Sequence, residues 1–340
     1  HIINILLVWV FILALSRSKL VAGIAAMLFS LHPMNVEAVA WISARSTLMF
    51  TAFYIAGLLA YLKYLESKKP LHYGLTVLFA LLSLFSKSLA MSFPLVLLVI
   101  DYSRERGWGK KVWIEKLPFF LLSIVFGIIA INAAGVYGHI TELSHDYNML
   151  DRFFILCHTY TFYLFKLIIP LQLSPIYADP DLSSGTLPAL YYLSAIIPLG
   201  LIYFIYRYWS KQRKLISGIL FFSGAVAPVL PIFWSRVFVA ADRYAYLSFI
   251  GLVLLLAILF ERLLKMEFFR SMYRKYTAIG IVVIYGISLG YMAQQQSKWW
   301  LETITLLSRA VDLSESAPAK TASHFYRANA YQNLAEQRYR

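Results

Sequence analysis

Apolar runs long enough to cross a lipid bilayer recur along most of this 340-residue chain. A membrane-spanning helix needs about 20 mostly apolar residues. The candidate runs lie near 2–16, 20–33, 47–65, 72–86, 88–102, 116–135, 154–171, 189–207, 215–233, 246–262 and 277–293. Only 14% of the residues are charged, whereas soluble domains carry about 25%. An ordinary soluble enzyme, a disordered chain and a nucleic-acid reader are therefore excluded.

The distribution of Lys and Arg predicts which loops face the cytoplasm, because cytoplasmic loops hold an excess of cations. Of the 31 Lys and Arg residues, 19 fall in one alternating set of connections, 6 in the opposite set and 6 after residue 293. The cation-rich connections are 17–19, 63–69, 104–116, 207–214 and 262–275. The net charge of +14 thus reflects topology, and the tail after residue 293 is expected on the outer face.

One apolar run, 154–171, is assigned to the membrane interface instead of a span. A spanning helix there would place the four cations of 207–214 on the outer face, against the charge bias. Its mixture of polar and aromatic side chains also suits a helix at headgroup level. Residues 1–293 are therefore predicted to form an all-α, polytopic membrane bundle of about ten spans plus one interfacial or re-entrant helix.

The tail, residues 294–340, is polar and is predicted to be a separate helical segment. Trp299 and Trp300 suit interfacial anchors. The amphipathic pattern predicts a helix from Leu301, a break at 316–318 and a second helix after it. This arrangement resembles the start of TPR-like repeats, of which a stable solenoid needs about three, so further repeats are expected beyond residue 340.

The outer loop between the second and third runs contains candidate functional residues. His32, Glu37 and Arg45 lie in a compact segment between two apolar runs and are expected to project between spans. An ionisable group near membrane depth is costly and is a functional candidate by default. The alternative is that Glu37 and Arg45 only neutralise each other.

Two further outer segments carry candidate phosphate-binding cations. Lys87 interrupts an overlong apolar stretch at the outer boundary, where a lone cation suits the phosphate of a lipid carrier; snorkelling to a headgroup is the alternative. Asp242, Arg243 and Tyr244 are adjacent at the outer end of another span. Arg243 is expected to bind a phosphate in bidentate fashion, although both charges would also serve as interfacial anchors.

Carboxylates on the predicted cytoplasmic side lie among many cations. They are interpreted as solvated interfacial pairs, without a catalytic role. They are Glu66, Asp101, Glu105, Glu115, Glu261 and Glu267.

The sequence assigns no metal site and no disulfide. The stretch 139–146 contains ligand-type side chains but lacks the His-Glu-x-x-His spacing of zinc peptidases. A single cysteine, Cys157, excludes a disulfide framework within this chain.

The order of these motifs resembles that of a glycosyltransferase family. His32-Pro33, the Glu37–Ala40 stretch and Arg45 are similar to the second outer-loop signature of the transmembrane, TPR-repeat O-mannosyltransferases and their bacterial relatives. The motifs that follow in the family's order are Ser86-Lys87, Asp101-Tyr102, Leu173–Tyr177 and Ala241–Leu247. The helical tail also comes where that family places it.

The resemblance implies a GT-C-type membrane enzyme that takes a mannose-like sugar from a polyprenyl- or dolichyl-phosphate carrier. The acceptor would be a protein Ser or Thr hydroxyl on the outer or lumenal face. The implied site consists of the carboxylates Glu37 and Asp242, the donor-binding residues Arg45, Lys87, Arg243 and Tyr244, and the supporting residues His32 and Tyr177. The lipid-linked sugar is the donor, and the need for a divalent metal is left open.

The start of the chain resembles the start of the family's second span. The first span and first outer loop, which holds the family's principal catalytic acid, are therefore expected upstream of this chain. The expected location is a bacterial inner membrane, with the tail on the periplasmic side.

Three other functions remain open at this stage. The chain would also suit a non-catalytic membrane scaffold that presents TPR-like repeats to envelope partners, or a transferase acting on a lipid or polysaccharide. A transporter is disfavoured, because no convincing internal repeat is present.

Overall fold

The computed structural model describes residues 1–136, 147–177, 180, 185–231, 240–313 and 323–332. Within these ranges the chain is helical and has no β-strand, which confirms the predicted all-α class; one isolated antiparallel bridge pairs Tyr177 with Ala240. The α-helices are α1 (Ile2–Ser16), α2 (Lys19–Leu31), α3 (Val36–Ala40), α4 (Arg45–Ser67), α5 (Pro70–Ser86), α6 (Phe93–Ser103), α7 (Lys110–Val136), α8 (Met149–Ile168), α9 (Ala189–Ser194), α10 (Ile196–Tyr208), α11 (Arg213–Val226), α12 (Asp242–Ala245), α13 (Phe249–Leu264), α14 (Met272–Trp299) and α15 (Thr303–Leu313). A further helix covers 323–332.

Local sequence signals decide where the first helices end. α1 ends at Arg17, which takes a left-handed φ of 57°, and the Ser18 side chain then caps α2 by accepting a backbone N–H. Pro33 opens a short 3₁₀ turn after α2, and the chain bends by 56° between α2 and the segment Pro33–Ala40. The bend sets the direction of α3, which lies within the segment Pro33–Ala40.

In the part of the chain that the structure describes, four helical segments are long and apolar enough to cross a membrane: Ile42–Ser67, Lys110–Ala133, Ala189–Tyr208 and Met272–Trp299. The bent pair of α2 and Pro33–Ala40 makes a fifth if it acts as one span. The count of about ten spans is therefore not confirmed within the described residues. Several apolar runs form helices of 17 residues or fewer, among them α1 and α5. The run assigned to the interface forms α8, which is not among the candidate spans.

The peripheral candidate spans expose apolar side chains on nearly all faces. Only 11% of the most apolar window of Lys110–Ala133, 11% of that of Ala189–Tyr208 and 17% of that of Met272–Trp299 are buried, compared with 50% for Ile42–Ser67. An exposed helix that is apolar all round is suited to a lipid environment. The protein is therefore a membrane protein whose inner helices, chiefly α1, α2, α4, α6, α11 and α13, form the packed core.

Two of the core helices approach each other through glycine. A Cβ atom added to Gly251 in α13 would lie 2.6 Å from the carbonyl oxygen of Gly218 in α11 and 2.6 Å from the backbone nitrogen of Phe222. Small residues at such a crossing let two backbones pack closely inside a membrane. This contact helps to hold α13, and the α12 segment before it, against the core.

Contacts join cation-rich connections to one another at one end of the bundle. Ser18, between α1 and α2, donates to Glu261 in α13 at 2.6 Å. Arg213, which begins α11, pairs with Glu105 after α6 at 3.3 Å. Segments predicted to share the cytoplasmic side therefore lie together.

Two carboxylates at this end are buried, so their interpretation as solvated pairs was wrong. Asp101 is fully buried and Glu115 is 8% exposed. Lys116, also fully buried, lies 2.5 Å from Asp101, and Arg106 donates to both carboxylates at 2.9 Å. Tyr61 donates its hydroxyl to Asp101 at 2.7 Å. α4, α6 and α7 meet here and exclude water, so these charges are stabilised by pairing.

Substitution of Gly251 by Ala is expected to destabilise the bundle. The new methyl group would meet backbone atoms that cannot rotate away, and overpacking typically costs about 1–3 kcal/mol. Thermal unfolding of the detergent-solubilised protein would measure the loss. Gly280→Ala is the matched control, since nothing lies within 4 Å of its added Cβ; equal stability of the two variants would contradict the close packing.

Substitution of Lys116 by Met is expected to lower the free energy of unfolding by about 3 kcal/mol, because a buried pair loses one partner. The exposed pair of Lys63 and Glu66, 3.6 Å apart, offers the control. Lys63→Met should cost no more than about 0.5 kcal/mol. Unfolding in mixed detergent micelles would compare the two, and equally small effects would show that the Asp101 network contributes little.

Candidate functional site

A buried ion pair joins two segments that are 206 residues apart and are both predicted to lie on the outer side. The bend at Pro33 brings α3 against α12, and Glu37 Oε2 accepts the backbone N–H of Arg243 at 2.7 Å. Glu37 Oε1 forms an ion pair with the guanidinium of the same residue. The Glu37 side chain is only 2% exposed and that of Arg243 is 14% exposed. Both carboxylate oxygens are thus occupied by Arg243, and the carboxylate determines where the guanidinium lies.

Aromatic rings surround the guanidinium. Arg243 Cζ lies 4.9 Å from the ring centroid of Trp41 and 4.8 Å from that of Tyr244, within the range of cation–π attraction. Burial lowers the pKa of Arg243, but the Glu37 carboxylate and Tyr244 together outweigh this effect and raise it. The guanidinium therefore stays charged in a partly dry environment, where charge interactions are strong.

A second cation approaches the same ring. Lys87 lies in the break after α5, as the sequence predicts, and its Nζ is 2.6 Å from Thr47 Oγ1. The same Nζ lies 5.9 Å from the ring centroid of Tyr244 and 5.8 Å from that of Phe50. Lys87 and Arg243 therefore both lie near the Tyr244 ring, although they come from segments predicted separately.

Asp242 is buried beside the ion pair and holds its own segment in place. Its Oδ1 accepts the hydroxyl of Tyr177 at 3.0 Å, and the residue is 3% exposed. The hydroxyl of Tyr163 lies 3.2 Å from both the backbone nitrogen and the carbonyl oxygen of Ala241. Burial, with the nearby Glu37 carboxylate, raises the pKa of Asp242 well above its usual value.

The two remaining predicted site residues lie outside this cluster. His32 is 2% exposed, and its Nε2 donates to the carbonyl of Leu167 at 3.1 Å, which ties the bend after α2 to the end of α8. Arg45 is exposed, and its Nε donates to the carbonyl of Ile42 at 3.0 Å. Glu37 thus pairs with Arg243, and not with Arg45 as the alternative interpretation of the outer loop had it.

A cavity of about 450 Å³ borders the ion pair. One side carries Glu37, Trp41 and Arg243, and the tail supplies Trp300 and Tyr326. The sequence indicated both tryptophans only indirectly, Trp41 within the outer-loop motif and Trp300 as an interfacial anchor. It did not predict that the tail folds back onto the outer loop, because a contact between distant helices has no local pattern.

Among the residues that the structure describes, no group of three or more His, Cys, Asp or Glu side chains could hold a metal ion. The stretch 139–146 considered above lies outside the described residues. Cys157 is buried and carries a free thiol.

Comparison with known proteins gives one distant similarity. The chain is 27% identical, over 248 residues, to a protein O-mannosyl-transferase of Caenorhabditis elegans. The aligned part covers 72% of this chain and 35% of that protein, so the chain spans about a third of the length of this relative. Neither a family model nor a solved structure matches the chain. The similarity supports a relationship to a glycosyltransferase, and the bacterial origin and the TPR-like repeats stay predictions.

Substitution of Asp242 by Asn is expected to change how stability depends on pH. Because the folded-state pKa is raised, the folded protein holds a proton that the unfolded chain has released above about pH 4. Wild-type stability should therefore fall, relative to Asp242→Asn, as pH rises from about 4 towards the folded-state pKa, by up to about 1.4 kcal/mol per pH unit. Thermal unfolding in detergent across this range would measure the difference, and parallel curves would show that Asp242 is not destabilised by burial.

Proposed function

We propose that this chain is part of a glycosyltransferase that moves a mannose-like sugar from a polyprenyl-phosphate carrier to a Ser or Thr hydroxyl of a protein. The observation that carries the proposal is the cluster of Arg243 and Lys87 around Tyr244, oriented by Glu37 and bordering a cavity. The distant similarity to a protein named as an O-mannosyl-transferase supports the same reaction class.

Two cations of the cluster favour an anionic ligand. The Arg243 guanidinium pairs with Glu37 and lies 4.8 Å from the centroid of the Tyr244 ring, and Lys87 Nζ lies 5.9 Å from the same centroid. The raised pKa of Asp242 reduces the negative charge beside them. Two partly buried cations near one ring suit a phosphate.

In the proposed reaction the bond between the sugar's anomeric carbon and the phosphate oxygen breaks. The anomeric carbon bonds to the acceptor hydroxyl oxygen, whose proton passes to a carboxylate base of the full-length protein other than Glu37 and Asp242. Negative charge grows on the departing phosphate, and cations held in place before the reaction stabilise that charge most effectively. Arg243 and Lys87 take this role.

In the proposed reaction Glu37 and Asp242 position other residues of the protein. Glu37 has both oxygens engaged by Arg243, so it orients the guanidinium instead of serving as the base. Asp242 holds the segment that carries Arg243 through its hydrogen bond with Tyr177. His32 positions α3 by fixing the bend that precedes it.

The outer face is the proposed side of the reaction. The cation-rich connections meet at the end with Ser18, Glu105 and Glu261, and they are expected in the cytoplasm. The tail and the Arg243 cluster belong to the loops assigned to the opposite side, which is periplasmic if the protein resides in a bacterial inner membrane.

Sugar transfer by the full-length protein tests these roles. With a radiolabelled polyprenyl-phosphate sugar, Arg243→Ala is expected to lower kcat by about 10²- to 10³-fold, because a fixed donor to the developing charge is lost. Lys87→Ala and Glu37→Gln should also lower it. Lys298→Ala is the control, since this exposed lysine bonds the Gln295 side chain at 3.1 Å and does not line the cavity. Undiminished transfer by Arg243→Ala would refute the proposal.

The same assay decides between the sequence-based and the structural assignment of Arg45. Its exposed position indicates a much smaller loss for Arg45→Ala than for Arg243→Ala. Equal losses of kcat in the two variants would support the sequence-based assignment of Arg45 to the donor site.

A further inference from the structure

We propose that the cavity beside Arg243 is the acceptor site and that it takes an extended polypeptide segment carrying the reactive hydroxyl. The tail would then form one wall of the site and select the acceptor. This inference rests on the proposed function, since it names the second substrate of the same reaction.

The cavity is built from two parts of the chain that approach face to face. The outer loop supplies Trp41 and Ser43, and the tail supplies Trp300, Glu302 and Tyr326. The ring centroids of Trp41 and Trp300 lie 6.1 Å apart across this junction. Aromatic walls with a few polar groups are typical of sites that bind a ligand tightly and fix its orientation.

The position of the cavity favours a water-soluble ligand over the carrier's hydrocarbon chain. Trp300 directly follows α14, a candidate span of 28 residues, and α15 begins three residues later. The cavity therefore lies at the end of a span and not along its apolar length. Apolar side chains such as Leu306 form much of the lining, and Glu302 and the hydroxyl side chains of Ser43 and Thr303 lie among them. A lining of both kinds suits the backbone and side chains of a peptide better than an isoprenoid.

The cavity also extends to the residues assigned to the donor phosphate. Its lining includes Glu37 and Arg243, so a hydroxyl entering from the tail side would reach the place assigned to the donor phosphate. A volume of about 450 Å³ has room for a sugar together with a short peptide segment.

The experiment measures both substrates of the full-length protein with Trp300→Ala, Trp300→Phe and Tyr326→Ala. A synthetic Ser/Thr peptide serves as the acceptor and a polyprenyl-phosphate mannose as the donor. We expect Trp300→Ala to raise the acceptor KM about tenfold, with the donor KM changed less than about twofold. Trp300→Phe keeps the ring packing but loses the N–H, so its acceptor KM should rise less.

Phe325→Ala is the matched control for Tyr326→Ala. Phe325 is the neighbouring ring on the same helix, is 60% exposed and does not line the cavity. Its acceptor KM should equal that of the wild type, and a rise equal to that of Tyr326→Ala would point to general damage to the tail and overturn the proposal.

Direct binding of a fluorescent copy of the peptide, without donor, separates this inference from the proposed function. Peptide binding that weakens in Trp300→Ala supports the acceptor site even if the wild type transfers no sugar, in which case the proposed function alone fails. A variant effect on the donor KM alone would assign the cavity to the lipid carrier. Transfer to a lipid or polysaccharide but not to the peptide would overturn the polypeptide assignment.

Discussion

The ion pair of Glu37 and Arg243 is the interaction on which the outer half of the structure depends. Neither charge is stable alone in an apolar interior, because burial of an unpaired charge costs far more than a hydrogen bond returns. Each therefore requires the other, and the requirement brings α3 and α12 together across 206 residues of chain. Trp41 and Tyr244 are placed around the guanidinium as a result, and the cavity is formed beside them.

A second buried charge network lies at the opposite, cation-rich end, and its chemistry differs. Asp101 and Glu115 face Arg106 and Lys116, so two acids balance two bases. A balanced, hydrogen-bonded network ties helices together and has no spare charge for a ligand. The outer cluster instead brings Lys87 to the Tyr244 ring beside the pair of Glu37 and Arg243. Burial and pairing occur in both places, and the cavity that Glu37 and Arg243 line makes the outer cluster the candidate binding site.

The lipid environment accounts for the division of the helices into a packed core and an exposed apolar periphery. α7, α10 and α14 expose apolar side chains on their outward faces. This exposure is unfavourable in water but not in the hydrocarbon core of a bilayer. The ends of these helices are expected at the membrane interface, where aromatic and charged side chains are favoured. The end of α14 therefore coincides with Trp300 and the return of the tail towards the outer loop. Through Trp300 and Tyr326, the tail forms one side of the cavity.

The sequence by itself determined the helical membrane class, the break at Lys87 and most of the charges that meet at the site, because each produces a local pattern of apolar runs and isolated charges. Only the tertiary structure decided that Glu37 pairs with Arg243 and not with Arg45. It also decided that Asp101 is buried and that Trp300 reaches the cavity. These facts depend on which helices pack together, and packing between segments hundreds of residues apart leaves no periodicity in the sequence. Water exclusion then fixes which charges must pair, and that exclusion exists only once the helices have assembled.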